Sequence, residues 1–196
     1  SPVATDCVSQ AILHLLTKMP TLHLNIEEKV MTPLLQDLLA GSVDVVVGRI
    51  GGRALQLPLN YQVLYTEPVC FVASPEHPLA KYATLSWNDL ANWRWIVWPT
   101  GTPIRQSIDN ALVDNGVMLP ENTIESASMN VTSNLLQSSD MISILSLRLA
   151  QHYAEHRQLT ILNLPRIEQK GSVGVFWRKS EVPSLALTRF LHYLAE

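Results

Sequence analysis

The sequence predicts an α/β protein made of two lobes. Segments with helical spacing of apolar residues alternate with short runs rich in Val, Ile and aromatic residues. Such alternation is typical of mostly parallel sheets whose strands are joined by helices. The alternating segments form two sets, and we assign the last strand and helix to the first set. We therefore expect one lobe from residues 1–80 plus 162–196 and a second from residues 81–161, joined by two crossover strands.

The opening of the chain predicts a helix, a strand and a second helix. The apolar residues of Cys7–Met19 form a helical stripe that Pro20 ends, with Asp6 or Thr5 as the cap, and Leu13 lies outside that stripe. The segment TLHLNIEE then alternates like a half-buried strand. The helix PLLQDLLAG follows, with its glycine placed as a left-handed terminator.

The remaining strands alternate with helices up to the end of the chain. The run VDVVVGRI predicts a strand that is covered on both faces, because it lacks polar alternation. The later strands are predicted in QVLYTEPVCFVAS, WRWIVW, NTIESAS, MISILS, LTILNLP and GSVGVFWR. The later helices are predicted at 104–115 and 131–138, in RLAQHYAEH and in SLALTRFLHYL.

Composition limits the possible functions. The chain is 47% hydrophobic and 16% charged, which favours a compact fold over disorder. Its net charge of -3 lacks the basic balance of a module that neutralises phosphates, so the chain by itself should not hold DNA. Two distant cysteines suggest a reducing, cytoplasmic environment rather than a disulfide framework. We expect no membrane segment, because no apolar run approaches about 20 residues.

Three stretches resemble the effector-binding domain of LysR-type transcriptional regulators. LLAGSVDVVVGRI is similar to the family's L-x-x-G-x-h-D-h-h-h stretch, where h is an apolar residue. Glu67-Pro68 with VCFVASPEHPLA is similar to its strand that runs into HPLA at the first crossover. NTIESASMNVTSNLLQSSDMISILS is similar to its E-x-x-S … L-h-x-x-x-x-G-h-x-h-h-P region. The GRI tripeptide and the PTGTPIR loop look most like the branch of galactose-binding-protein and protocatechuate regulators.

The resemblance implies a periplasmic-binding-protein-like (type 2) fold and a sensor of a small-molecule co-inducer. It implies that an aromatic or small carboxylate, or a sugar, binds in a cleft between the lobes, with no cofactor and no metal. It further implies a cytoplasmic homodimer or homotetramer that contacts DNA only through an N-terminal winged helix-turn-helix and linker helix outside this chain. Asp140 stands where the family commonly has glycine and Ser146 where it often has proline, so the turn geometry should differ there.

By the resemblance, four segments supply the ligand-binding residues. Two of them precede the first two helices, where threonines can equally act as helix caps. The third is the loop in WPTGTPIR, whose hydroxyls, glycine and helix-start N–H groups suit a carboxylate or a sugar hydroxyl, with a plain turn as the alternative. The fourth follows the strand in IESAS, where small residues allow close approach or an ordinary turn. The predicted contacts are Val3, Ala4, Thr5, Met31, Thr32, Trp98, Pro99, Thr100, Gly101, Thr102, Ser126, Ser128 and Met129.

Two arginines complete the predicted site. Arg49 ends a buried strand, where its guanidinium could hold a carboxylate in a bidentate manner. Arg105 lies in the first turn of a helix, where the helix dipole disfavours a cation, so an anion should be near it. That anion is either a ligand or an acidic side chain, and a surface salt bridge is the alternative for both arginines.

Catalysis and metal binding have little support in the sequence. Ser126 and Ser128 lack the glycines of a nucleophile elbow. His152 and His156 could share a helix face, but the glutamate of the zinc-protease pattern and a third ligand are missing. A solute-binding protein of a transport system is the main alternative, because it has the same architecture. A small enzyme on this fold is a second one, although no acid/base constellation supports it.

Overall fold

The computed structural model describes residues 4–164, 167–179 and 182–195, and it is an α/β protein as predicted. It divides into two compact units, which we call unit 1 (Ser1–Thr66 with Ser172–Glu196) and unit 2 (Glu67–Gly171). The predicted lobe boundaries, after residue 80 and before residue 162, both fall within unit 2. The helices and strands are α1 (Thr5–Lys18), α2 (Met31–Ala40), β1 (Val45–Arg49), β2 (Leu59–Ala73), β3 (Trp95–Val97), α3 (Pro103–Asp114), β4 (Ile124–Glu125), α4 (Met129–Gln137), β5 (Ile142–Ser146), α5 (Leu147–Glu155), β6 (Thr160–Ile161), β7 (Ile167–Arg178) and α6 (Leu185–Leu194).

In unit 1, β1 is covered on both faces, as its unbroken apolar run predicts. Val47 faces a cluster formed with α1 and α6, whereas Val46 faces a cluster formed with α2 and Phe176. The alternation of neighbouring side chains across a strand places them on opposite faces. However, the neighbour of β1 is β7, and the two strands are antiparallel, with Val47 opposite Val175.

One predicted strand of unit 1 is wrong. Residues 22–30, which include most of TLHLNIEE, have no regular secondary structure. Leu24 and Ile26 are exposed by 36% and 68%. A strand exists only when its backbone groups pair with a neighbouring strand, and among the described residues β1 pairs with β7 alone. An alternating pattern without a partner therefore leaves a mostly exposed segment without regular structure.

In unit 1 the predicted C-terminal end of α2 is confirmed, but the predicted N-terminal caps of α1 and α2 are not. Gly41 terminates α2 with φ 83°, the left-handed conformation predicted for it. The predicted side-chain caps are wrong: α1 starts after Ala4 and α2 after Val30, and neither start has a side-chain cap hydrogen bond. Thr5 and Thr32 instead lie inside the first turns.

Unit 2 contains the parallel arrangement that the sequence predicts. Its strand order is β6-β2-β5-β3-β4, in which β3 is parallel to both β4 and β5, and β2 is antiparallel to β5 and β6. The core is dense in aromatic residues, with Phe71 edge-on to Trp87 and Trp95 at centroid distances of 5.3 and 5.1 Å. No helix in the described part of the chain is long and apolar enough to cross a membrane.

Candidate ligand-binding site

The carboxyl ends of three parallel strands meet at one edge of unit 2. A helix starts shortly after each of them: α3 after β3, α4 after β4, and α5 directly after β5. Ligands of open α/β sheets bind at such edges, where helix starts expose backbone N–H groups. We call this surface the unit 2 edge, and it comprises Trp98–Thr102, Arg105, Glu125–Met129 and Ser146.

The loop that connects β3 to α3 is held by its own threonine. The Thr102 hydroxyl donates to the Pro99 carbonyl at 2.8 Å and accepts from the Arg105 backbone N–H at 3.3 Å, and it therefore caps α3. Gly101 has φ 85°, a left-handed conformation that a side chain would strain. The Thr102 hydroxyl is thus committed to the loop, while the exposed Thr100 hydroxyl donates to Glu125 Oε1 at 3.0 Å.

Trp98 belongs to the core of unit 2. It is only 6% exposed, and its indole N–H donates to the Ile144 carbonyl at 3.1 Å. The predicted contact of the Trp98 ring with a ligand therefore has little exposed surface to act through. Pro99, which follows it, is half-buried, and its carbonyl accepts hydrogen bonds from the Thr102 hydroxyl and the Thr102 backbone N–H.

Arg105 is the centre of an ion-pair network. Its Nε donates to Asp109 at 2.8 Å, and its Nη1 donates to Glu125 at 2.9 Å and to the Trp98 carbonyl at 3.0 Å. Its side chain is only 11% exposed, whereas those of Asp109 and Glu125 are 43% and 47% exposed. The anion that the sequence predicts beside Arg105 is therefore an acidic side chain. The hydrogen bonds from Arg105 and then from Thr100 hold the pKa of the Glu125 carboxyl below its ordinary value.

The start of α4 is built from small hydroxyl residues. Ser128 caps α4 by accepting from the Val131 N–H at 3.3 Å, and the Ser126 hydroxyl accepts from the Ser128 N–H at 3.1 Å. The Ser126 N–H donates to the Val97 carbonyl at 3.0 Å, which ties this turn to β3. Met129 is half-buried against the core, so of this segment the serines present the polar atoms.

Ser146 has a buried hydroxyl group without a hydrogen-bond partner. It is the last residue of β5 and precedes α5, yet it makes no side-chain cap bond. The residue is 0% exposed, and its Oγ has no partner in the structure. Because buried polar atoms in native proteins are almost always satisfied, an ordered water or a ligand atom would complete the bonding of this hydroxyl.

The predicted site residues of unit 1 occupy two different environments. Ala4 and Met31 are buried in the core clusters, with exposures of 1% and 5%. Thr5 and Thr32 are exposed at the starts of α1 and α2. Arg49 is 2% exposed at the carboxyl end of β1. Val3 lies outside the described residues.

The two acidic members of the network, Asp109 and Glu125, are not among the residues predicted from the sequence. Glu125 stands directly before Ser126 in the quoted strand, and Asp109 lies four residues after Arg105 on the same helix. The rule that parallel strands end at one edge would have placed Glu125 near the loop after β3. The i, i+4 spacing of opposite charges would have identified Asp109. In the sequence, Ser146 stands out only because the family often has proline at this position.

A family model described as the LysR substrate binding domain matches residues 1–196. The HTH-type transcriptional regulator GbpR of Azospirillum brasilense is 26% identical over 90% of this chain and 52% of its own length. The HTH-type transcriptional regulator PcaQ of Agrobacterium fabrum is 29% identical over 83% of this chain and 52% of its own length. The chain thus spans about half the length of the curated relatives it matches.

Solved structures show the same fold. The regulatory domain of Synechocystis PCC6803 CcmR in complex with 2-PG has a TM-score of 0.81 at 19% identity, covering 98% of this chain and 91% of that one. The effector binding domain of QuiR in complex with shikimate has a TM-score of 0.79 at 16% identity, covering 96% and 88%. These similarities confirm the predicted periplasmic-binding-protein-like α/β fold.

Proposed function

Because the chain belongs to the LysR substrate binding domain family, we propose that it is the effector-sensing domain of a LysR-type transcriptional regulator. The observation that carries this proposal is the match of the family model over residues 1–196. The relatives GbpR and PcaQ are transcriptional regulators, which supports regulation rather than catalysis as the role of the whole protein. We place that protein in the cytoplasm, where it would reach DNA through a domain outside this chain.

The unit 2 edge is the part of the proposed effector site that the geometry supports best. It gathers the starts of three helices with the hydroxyl groups of Thr100, Ser126 and Ser128 and the buried hydroxyl of Ser146. Few and convergent polar groups beside an apolar core are typical of small-molecule sites. The bound 2-PG and shikimate of the two similar structures are likewise small molecules. The unit 1 residues Thr5, Thr32 and Arg49 stay predictions.

The proposed mechanism is a shift of population. An effector that binds one conformation of the sensing domain more tightly raises the population of that conformation. Its differential affinity sets the largest shift that it can cause, and the homodimer or homotetramer would pass the change to the DNA-binding domains. No covalent change of the effector is needed.

A thermal-shift screen of this chain tests the proposal. The compounds are aromatic acids, small hydroxy acids and sugars, each added well above the expected dissociation constant. A ligand present at about 100 times its dissociation constant should stabilise the folded chain by about 2.7 kcal/mol. Calorimetry then confirms one-to-one binding, and mass spectrometry checks that the compound is recovered unchanged. The proposal fails if no compound of the three classes stabilises the chain, or if a stabilising compound is turned over.

A further inference from the structure

The start of α3 already holds a carboxylate that belongs to the chain itself. We infer that Glu125 is a specificity-determining residue: its carboxylate fills the anion position beside Thr100 and Arg105 and excludes negatively charged ligand groups from the unit 2 edge. This inference rests on the proposed function, because it concerns the ligand that the sensor would accept.

The geometry of the Glu125 carboxylate is that of a bound anion. Its Oε1 accepts from the Thr100 hydroxyl at 3.0 Å and from Arg105 Nη1 at 2.9 Å. Both donors lie beside the first turn of α3, where the positive end of the helix dipole attracts negative charge. A carboxylate or phosphate of a ligand would seek the same donors, and it would first have to displace Glu125.

The charge balance of the network also opposes an anionic ligand. One guanidinium, Arg105, faces two carboxylates, Asp109 and Glu125, so that the network carries a net charge of 1 − 2 = -1. Arg105 is nearly buried, and its guanidinium hydrogen bonds to Asp109, Glu125 and the Trp98 carbonyl all end on groups of the chain itself. It therefore has no spare charge for a ligand, which predicts that a ligand meets this edge through hydroxyl groups.

The unpartnered Ser146 hydroxyl is an independent sign that the same edge receives a polar group from outside. β5 and β4 flank β3 on its two sides, so Ser146 and Glu125 lie on opposite sides of the end of β3. Two strand spacings of about 4.8 Å separate them laterally, roughly 10 Å in all. A small molecule with several hydroxyl groups could donate to Glu125 at one side and pair with Ser146 at the other.

The test is a titration with inorganic sulfate, which needs no knowledge of the effector. We would follow the backbone amide resonances of Thr100 and Gly101 by NMR at constant ionic strength. The proteins are the unchanged chain, Glu125→Gln and Glu125→Ala, with Glu121→Gln as a control of equal net charge at another exposed acidic residue. Both changes at Glu125 should keep the fold, because its side chain is 47% exposed.

We expect sulfate to bind beside Thr100 at least tenfold more tightly in both Glu125 variants than in the unchanged chain or in Glu121→Gln. The inference is overturned if the unchanged chain binds sulfate at these amides as tightly as the variants do. It is overturned as well if Glu121→Gln gives the same gain, since the effect would then be one of net charge. The sulfate result does not depend on the effector screen, so a failure of the proposed function is separately visible.

Discussion

The Thr102 hydroxyl accepts a hydrogen bond from the backbone N–H of Arg105, 3.3 Å away, and so joins the loop after β3 to the first turn of α3. Removing this cap in Thr102→Ala should lower the free energy of unfolding by about 1 kcal/mol, within the usual range for capping threonines. Thr100→Ala should cost much less, because that hydroxyl is exposed. Urea denaturation of both variants measures the difference. Equal losses of unfolding free energy would mean that the Thr102 cap contributes no more than the exposed Thr100 hydroxyl does.

The two buried serines of β5 form a matched pair. The Ser143 hydroxyl donates to the Ile96 carbonyl at 2.7 Å, whereas the Ser146 hydroxyl has no partner. Ser143→Ala should therefore destabilise unit 2 by about 1–3 kcal/mol, and Ser146→Ala should be neutral or slightly stabilising. Effector affinity should fall by about tenfold in Ser146→Ala if the ligand supplies the missing partner. A large loss of stability in Ser146→Ala, seen by denaturation without ligand, would contradict this assignment.

Gly174 of β7 has no room for a side chain. A Cβ atom there would approach the Gln62 carbonyl oxygen and Ile50 Cδ1, each to 2.6 Å. Because one of these neighbours is backbone, Gly174→Ala should destabilise unit 1 by about 1–3 kcal/mol. Gly52→Ala is the control, since nothing lies within 4 Å of its added carbon. Thermal melts of the two variants should differ clearly, and equal melting temperatures would refute the close contact.

The Arg105–Glu125 pair should weaken in acid. The folded state lowers the pKa of Glu125 from its ordinary value of 4.5, so the contribution of this carboxylate is present above that value. It is lost as the pH falls through the lowered pKa, because the carboxylate is then protonated in both states. The stability difference between the unchanged chain and Glu125→Gln should accordingly be constant from about pH 6 to 8 and vanish in acid. A difference that grows as the pH falls would have the wrong sign.

Substitution of Leu13 tests whether the expected homodimer pairs through α1, because this apolar residue lies outside the stripe that packs on the core. Its side chain is 59% exposed, outside the apolar stripe of that helix. If the chain dimerises through this surface, Leu13→Glu should weaken the dimer by at least about tenfold, or 1.4 kcal/mol. Val113→Glu on α3 is the control, because Val113 is 79% exposed in unit 2. Analytical ultracentrifugation decides, and an unchanged dimer in Leu13→Glu, or a monomeric parent chain, would count against the predicted surface.

The sequence predicts the elements whose signals are local or whose partners are near in the chain. The helix end at Gly41 follows from backbone conformation, and the run from Val45 to Val47 is buried on both faces as expected. The alternating segment before α2 fails as a strand because strand formation depends on a partner, which no local pattern supplies. The caps at Thr5 and Thr32 fail because residues with cap propensity also fit the first turn.

The part of the site that the sequence does not predict depends on contacts between residues that are far apart in the chain. Arg105 and Glu125 are separated by 20 residues, and only the parallel pairing of β3 with β4 brings them together. The sequence indicates that an anion should lie near Arg105 but cannot identify it. Ser146 illustrates a further limit: a hydroxyl group reveals that it lacks a partner only when all its neighbours are known.

The discontinuity of unit 1 has a consequence for synthesis on the ribosome. Unit 2 is one continuous stretch, Glu67–Gly171, whereas unit 1 needs β7 and α6 from the end of the chain. Arg178 at the end of β7 is one such link, because its guanidinium donates to the Leu38 carbonyl at 2.9 Å and to Asp44 at 3.0 Å. We therefore expect unit 2 to fold first, while residues 1–66 wait in the nascent chain, exposed to chaperones and proteases until β7 and α6 have been synthesised.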